Sequence, residues 1–179
     1  MIDTPGHGKL RHHALTSLTT SSALCGLLFV VDSAALSSST GLTEAAEYLH
    51  DVLLSLQRRH TQGKSSKGKG EVGVLLCANK QDVFTSLPAD IVKSKLEGEV
   101  GNVRASRSKG LSSTVDSGIG MGEDADGDEE AGWLGEYGSK EFRFEQMREH
   151  GVEIEVLGGN VTGEGKGVEE WWGWVGQNL

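Results

Sequence analysis

A continuous apolar run at residues 72–78 is followed directly by the tetrad Asn79-Lys80-Gln81-Asp82. A short run of this kind is typical of a parallel strand buried on both faces. In α/β folds, ligands bind at the carboxyl ends of such strands. The tetrad has the form NKxD: its Asp can accept two parallel hydrogen bonds from guanine, its Asn can hold neighbouring loops together, and its Lys stem can lie along a purine. A solvated loop is the alternative interpretation.

The segment DTPG at residues 3–6 has the form DxxG and follows two apolar residues. In GTP-binding proteins, the Asp of such a motif holds Mg²⁺ through a water, and the Gly N–H contacts the γ-phosphate. Taken alone, the segment is equally compatible with a β-turn. The distance from Asp3 to Asn79 accommodates two helices and two strands. The two motifs together therefore indicate a guanine-nucleotide-binding α/β fold, with a mostly parallel sheet and helices on both faces.

Three segments narrow this prediction to one family: DTPGHGKLR at residues 3–11, FVVDSA at 29–34 and CANKQD at 77–82. Together they resemble the β subunit of the signal recognition particle receptor, an Arf-related GTPase family of the endoplasmic reticulum. The similarity covers nearly all of the chain outside residues 61–70 and 110–138. The resemblance implies a Ras-like P-loop GTPase fold.

The same resemblance implies GTP and Mg²⁺ as cofactors and a role in cotranslational protein targeting. The implied location is the cytosolic face of the endoplasmic reticulum membrane, reached only through an anchor that we expect to be absent from this chain. The implied partner is the receptor α subunit, with the ribosome–nascent-chain complex contacted indirectly. Direct nucleic-acid binding is not expected, because the net charge is −9 and no basic surface is indicated.

The guanine-binding residues implied by the resemblance follow the predicted strands. Asp82 would read the base, Lys80 would pack on it, and Asn79 would brace the site. Gly158 and Gly159 fall where related GTPases carry a SAK-like motif that presents a backbone N–H to guanine O6. A glycine can make that contact, because it involves only the main chain.

The residues implied for the phosphate side lie at the start of the chain. Asp3 would hold Mg²⁺ through a water, and Gly6 would sense the γ-phosphate. His7 stands where many related GTPases place the Gln that orients attacking water, which makes it the candidate catalytic residue. Contact between His7 and a partner protein is an equally open interpretation.

The sequence contains no GxxxxGK[ST] phosphate loop. We therefore expect residues 1–179 to be an amino-terminally truncated GTPase domain that lacks the phosphate loop and the first switch. The family is a GTPase, but enzymatic activity of this chain does not follow from the sequence. The alternatives are a fragment of an Arf-like trafficking GTPase and a nucleotide-free module that only binds a partner.

Hydrophobic periodicity and composition predict the elements around these motifs. A Ser/Gly/Asp-rich stretch at 105–138 is expected to be a disordered low-complexity insertion. Cys25 and Cys77 are each expected inside a buried strand, and Trp171, Trp172 and Trp174 are expected to pack together. The predicted strands are Met1–Asp3, Leu24–Val31, Val72–Ala78 and Val152–Leu157, and the predicted helices are 42–60, 89–100 and 168–177.

Overall fold

A parallel sheet forms the centre of the computed structural model, which describes residues 1–21, 24–63, 71–115, 133–163, 165 and 167–178. Its strands are β1 (Gly26–Asp32), β2 (Val72–Asn79) and β3 (Val152–Gly158), in the order β1-β2-β3. Strand β2 pairs along both of its edges, with β1 on one side and β3 on the other. The predicted α/β class is confirmed.

Within the described ranges of the chain, four α-helices surround the sheet, together with three short 3₁₀ helices. The second α-helix begins where the Ser38 hydroxyl accepts a hydrogen bond from the Gly41 N–H at 3.1 Å, a typical N-cap contact. The α-helices are α1 (Arg11–Thr20), α2 (Ser39–Gly63), α3 (Ala89–Val115) and α4 (Glu169–Gln177), and the 3₁₀ helices are Gly8–Leu10, Ala35–Ser37 and Phe144–His150.

The two faces of β2 are covered by different helices. Val74 and Leu76 point into a core built with side chains from α1, α2 and α3. Leu75 points to the opposite face, where it packs against Trp171 and Trp174 of α4. All three β2 side chains are fully buried. Helices therefore cover both faces of the central strand, as the apolar run predicts.

Helix α3 is longer than the predicted 89–100. It continues because Val103 packs in the core and Arg104 is 3% exposed. The Arg104 guanidinium donates hydrogen bonds to the backbone carbonyls of Leu134, at 3.0 Å, and Ser139, at 2.7 Å. The helix thus runs to Val115, into the stretch predicted as a disordered insertion. The middle of that stretch lies outside the described residues, so the insertion stays a prediction.

Two other expectations differ from the structure. Residues 1–3, predicted to end a strand, form no ladder with the described strands and have no regular secondary structure. Trp172, expected to pack with the other two tryptophans, is 64% exposed. The face of α4 that packs on the sheet carries Trp171 and Trp174, and Trp172 lies outside that face.

The two cysteines have opposite environments. Cys77 is fully buried in β2, and burial raises the pKa of its thiol to about 12, so it behaves as a small hydrophobe. Cys25 is exposed and precedes β1, which corrects its predicted position inside a buried strand. Neither cysteine is in a disulfide.

None of the helices in the described part of the chain combines the length and apolar character that a membrane crossing requires.

Strand β1 is the exposed side of the sheet. Its one neighbour among the described strands is β2, and its outward-facing Leu28 and Val30 are 48% and 57% exposed. Phe29 and Val31, which point to the opposite face, are buried. An unpaired strand edge with exposed apolar side chains is a template for association.

We expect the isolated chain to self-associate through β1, and the double substitution Leu28→Thr with Val30→Thr to reduce this association. Sedimentation velocity would measure the change. Val31→Thr is the matched control, because it alters a buried position of the same strand and should lower stability by about 1–3 kcal/mol without relieving association. A monomeric wild-type chain with a sharp thermal transition would contradict this expectation.

Candidate functional site

The carboxyl ends of the three strands bring together residues that are far apart in the sequence. Asp32 at the end of β1 is the register partner of Asn79 at the end of β2, and Ala78 is the partner of Gly158 at the end of β3. Parallel strands end at the same edge of a sheet, which is where ligands bind in such folds. The carboxyl-edge site is defined as residues 32–33, 79–82 and 158–163.

Asn79 joins the tetrad to the loops on both sides. Its Oδ1 accepts hydrogen bonds from the backbone N–H groups of Lys80, at 2.8 Å, and Val161, at 3.1 Å. Its backbone carbonyl accepts a hydrogen bond from the Ser33 N–H at 3.1 Å. One residue therefore connects β2 with the chain after β1 and the chain after β3. This is the kind of contact that the predicted bracing role requires.

Lys80 lies in a turn and forms an ion pair across the strand ends. Its φ is 66°, in the left-handed region that non-glycine residues seldom occupy. Its Nζ lies 2.6 Å from Oδ2 of Asp32. The hydrogen bond from Lys80 lowers the pKa of Asp32, although burial opposes this effect, and the same bond raises the pKa of Lys80. Both side chains are therefore charged at neutral pH.

Gln81 fills the variable position of the tetrad and ties the same segments together. Its Nε2 donates to the Ser33 hydroxyl at 3.0 Å and to the Leu87 carbonyl at 2.8 Å. Its backbone N–H donates to the Gly159 carbonyl at 3.2 Å. These bonds direct Gln81 into the protein, away from any ligand at the edge. Gln81 therefore supports the turn that carries Lys80 and Asp82.

Asp82 is exposed and lies beside the loop after β3. A Cβ atom placed on Gly163 would lie 2.5 Å from Oδ2 of Asp82, so the carboxylate rests directly against the backbone at that glycine. Gly163 has φ +109°, a conformation that side chains strongly disfavour. The exposed carboxylate can still accept two parallel hydrogen bonds from a planar donor pair.

The two predicted glycines differ in how their backbone is used. Gly158 ends β3, whereas Gly159 is buried and donates its N–H to the Ala78 carbonyl at 3.0 Å. The Gly159 N–H thus extends the β2–β3 ladder in this structure. A ligand contact by that group would require it to leave or share this bond, and the predicted role of both glycines stays a prediction.

Asn160 carries an unsatisfied acceptor at the same edge. The residue is 4% exposed, and its Oδ1 is buried without a hydrogen-bond partner. Its Nδ2 donates to the Thr162 carbonyl at 3.2 Å. A buried polar atom without a partner is costly, so a water or ligand donor at this position would be stabilising. The burial of Asn160 also makes its sequence NVT a poor glycosylation acceptor.

The predicted amino-terminal site residues are not joined to this cluster. Asp3, Gly6 and His7 are exposed. His7 Nδ1 accepts a hydrogen bond from the Lys9 N–H at 3.3 Å, which caps the first 3₁₀ helix. Among the hydrogen bonds and ion pairs of the described residues, none links these three residues to the carboxyl-edge site. The structure therefore brings the predicted base-side residues to one edge of the sheet, and the roles predicted for Asp3, Gly6 and His7 stay predictions.

The described residues contain no group of three or more His, Cys, Asp or Glu side chains that could hold a metal ion. The water-mediated role of Asp3 stays a prediction: Mg²⁺ usually keeps several waters and takes its other ligands from substrate phosphates.

Sequence reasoning missed two residues of the site. Asp32 forms the ion pair with Lys80, and Ser33, which is fully buried, bonds to both Asn79 and Gln81. Both belong to the segment FVVDSA that carries the family resemblance. Their place at the carboxyl end of the preceding predicted strand was the signal that could have identified them.

A family model, curated relatives and solved structures that match this chain belong to one family. The family model for the signal recognition particle receptor beta subunit matches residues 1–152. The mouse signal recognition particle receptor subunit beta is 31% identical over 147 residues, which cover 82% of this chain and 46% of the mouse protein. The chain thus spans about half the length of the curated relatives it matches.

Two solved structures from Chaetomium thermophilum are similar in fold and sequence. The structure of the receptor SRb-GDP-Mg is 44% identical, with a TM-score of 0.81 over 99% of this chain and 79% of that chain. The structure of the SRb-GTP/SRX complex is 41% identical, with a TM-score of 0.81 over 99% of this chain and 66% of that chain.

The contact between Asp82 and Gly163 can be tested by substitution. We expect Gly163→Ala to destabilise the protein more than Gly165→Ala does, as measured by thermal denaturation. Gly165 is the matched control, because its φ of +106° is nearly the same but its added Cβ would meet nothing within 4 Å. Backbone strain should cost about 1–2 kcal/mol in both variants, and displacement of the carboxylate should add to the loss only at Gly163. Equal losses would show that the carboxylate does not rest on this loop.

Proposed function

Because this chain belongs to the signal recognition particle receptor beta subunit family, we propose that its carboxyl-edge site recognises the guanine base of GTP and GDP. In this proposal the chain is part of the GTP-binding subunit of the receptor, which acts in cotranslational protein targeting at the cytosolic face of the endoplasmic reticulum membrane. Two similar structures, SRb-GDP-Mg and the SRb-GTP/SRX complex, contain GDP with Mg and GTP, respectively.

One observation carries the proposal: the Asn79 side chain fixes the NKxD tetrad against the loop after β3. In this proposal guanine recognition needs both segments, because the tetrad would supply an acceptor pair and the loop after β3 would present a backbone N–H to guanine O6. The register between β2 and β3 brings the segments to the same edge. A solvated loop would not need such a brace.

Each exposed member of the tetrad has a chemical role in this proposal. The Asp82 carboxylate accepts hydrogen bonds from N1–H and the exocyclic amine of guanine, and adenine lacks this donor pair. The Lys80 stem packs along the face of the purine. Asn79 acts on the ligand through the loops it holds in place.

The phosphate side of the proposal rests on Asp3, Gly6 and His7. Asp3 would hold Mg²⁺ through a water, and the Gly6 N–H would contact the γ-phosphate. His7 would either orient water or contact a partner. All three are exposed and available for such contacts. Bound Mg²⁺ would neutralise the negative charge of the phosphates.

The proposed partner is the receptor α subunit, through which the chain would act on ribosome–nascent-chain complexes. The support is the similar structure of the SRb-GTP/SRX complex. A module in which residues 1–179 hold this partner without nucleotide is the second candidate, since these residues contain no GxxxxGK[ST] segment.

We expect the purified chain to bind GDP in preference to ADP, but far more weakly than a GTPase that carries a phosphate loop. The loop's backbone N–H groups and Lys supply much of the affinity for the β- and γ-phosphates. Ligand-observed NMR can measure the resulting weak dissociation constants. Binding of GDP and ADP with equal affinity would refute base recognition, and binding of neither nucleotide would leave the nucleotide-free module as the function. A sub-micromolar dissociation constant for GDP would contradict the expected weak affinity.

We expect Asp82→Asn to weaken GDP binding by about ten- to a hundredfold, because a charged hydrogen-bond acceptor contributes about 1.5–3 kcal/mol. Preference should shift toward XDP, since xanthine carries the complementary group for an amide. Asp90→Asn, at an exposed acid in the first turn of α3, is the matched control. An unchanged ratio of GDP to XDP affinity would show that Asp82 does not face the base.

A further inference from the structure

We propose that Asp32 is a positioning residue for base recognition: it anchors the Lys80 ammonium so that the lysine stem lies across the carboxyl edge before any ligand arrives. The proposal rests on the guanine-binding function proposed above, and it adds a residue outside the tetrad to that site. Its basis is the 2.6 Å contact between Lys80 Nζ and Asp32 Oδ2.

Asp32 is itself held in place by the backbone. Its Oδ1 accepts hydrogen bonds from the N–H groups of Ala34, at 2.9 Å, and Ala35, at 3.1 Å. These bonds fix the orientation of the carboxylate and leave Oδ2 to face Lys80. The anchor for the ammonium is therefore a fixed point at the end of β1.

Lys80 is fixed at its other end by the turn. Its N–H donates to Asn79 Oδ1 at 2.8 Å, and its carbonyl accepts a hydrogen bond from the Val83 N–H at 3.1 Å. Asp32 and Asn79 are register partners on neighbouring strands. The methylene stem of Lys80 thus spans from the end of β2 to the end of β1, with both of its ends held.

An anchored stem favours binding because its order already exists in the free protein. Lysine has one of the largest side-chain entropies, and a free stem would lose that entropy when a base packs on it. Both partners are partly exposed, with side-chain exposures of 53% for Lys80 and 35% for Asp32, so the pair contributes little to folding stability. Its main effect is on the position of the stem.

The test is a double-mutant cycle with Asp32→Asn and Lys80→Met, measured as GDP binding by ligand-observed NMR. Asparagine keeps the Oδ1 acceptor for Ala34 and Ala35 and removes only the charge that holds the ammonium. Methionine keeps an apolar stem without an ammonium. Thermal denaturation of each variant checks that the turn after β1 is retained.

We expect Asp32→Asn to weaken GDP binding by about two- to fivefold when Lys80 is present, and to have no effect when Lys80→Met is already in place. Equal weakening in both backgrounds would show a structural role of the turn and overturn the proposal. Tighter binding by Asp32→Asn would also overturn it, because the ion pair would then compete with the base. An unchanged affinity would overturn the proposal while leaving guanine recognition intact, whereas equal binding of GDP and ADP by the wild-type chain would refute both.

Discussion

The pairing of β2 along both edges is the constraint on which the rest of the structure depends. Its register with β1 sets Asp32 beside Asn79, and its register with β3 sets Gly158 beside Ala78. Because side chains alternate between the faces of a strand, a shift of one residue would exchange the residues that face the α2–α3 side with those that face α4. The buried apolar side chains of β2 oppose such a shift, and so the core also fixes the geometry of the site.

Much of this arrangement could be predicted from the sequence where the hydrophobic pattern was unambiguous. The apolar run at 72–78 predicted β2, and the position of the NKxD tetrad after it predicted that Asn79, Lys80 and Asp82 lie at the carboxyl edge. The 3.6-residue spacing of apolar residues predicted α2. In each case, local pattern and tertiary burial agree, since the side chains that repeat in the sequence are those that the core buries.

Predictions were wrong where a long-range contact decided the local structure. Helix α3 passes beyond residue 100 because Arg104 bonds to the carbonyls of Leu134 and Ser139, which are 30 and 35 residues away in the sequence. The Ser- and Gly-rich composition gave no sign of this. Residues 1–3 have the apolar character of a strand end, but a strand requires a partner with which to form a ladder, and sequence pattern alone does not supply one.

Contacts between side chains at different strand ends were the least predictable part of the site. Lys80 is two residues from Asp82 in the sequence, yet its ion pair is with Asp32, at the end of another strand. The Asp82 carboxylate lies against Gly163, and the sequence does not show which of the neighbouring glycines adopts the φ of +109° found there. Motifs identify which residues meet at an edge, and the backbone between them decides how they meet.

The two halves of the proposed site differ in how they are held, and this difference has a consequence for binding. The tetrad and the loop after β3 are tied to the sheet by several hydrogen bonds, so a base would meet groups that are already in position. Asp3, Gly6 and His7 are exposed, and residues 1–6 have no regular secondary structure. Ordering a residue costs about 1–2 kcal/mol, so phosphate contacts at this segment would have to offset that cost while base contacts would not. In the proposed function, the base would therefore supply affinity that is independent of the phosphates, and the conformation of the amino-terminal segment would depend on which phosphates are present.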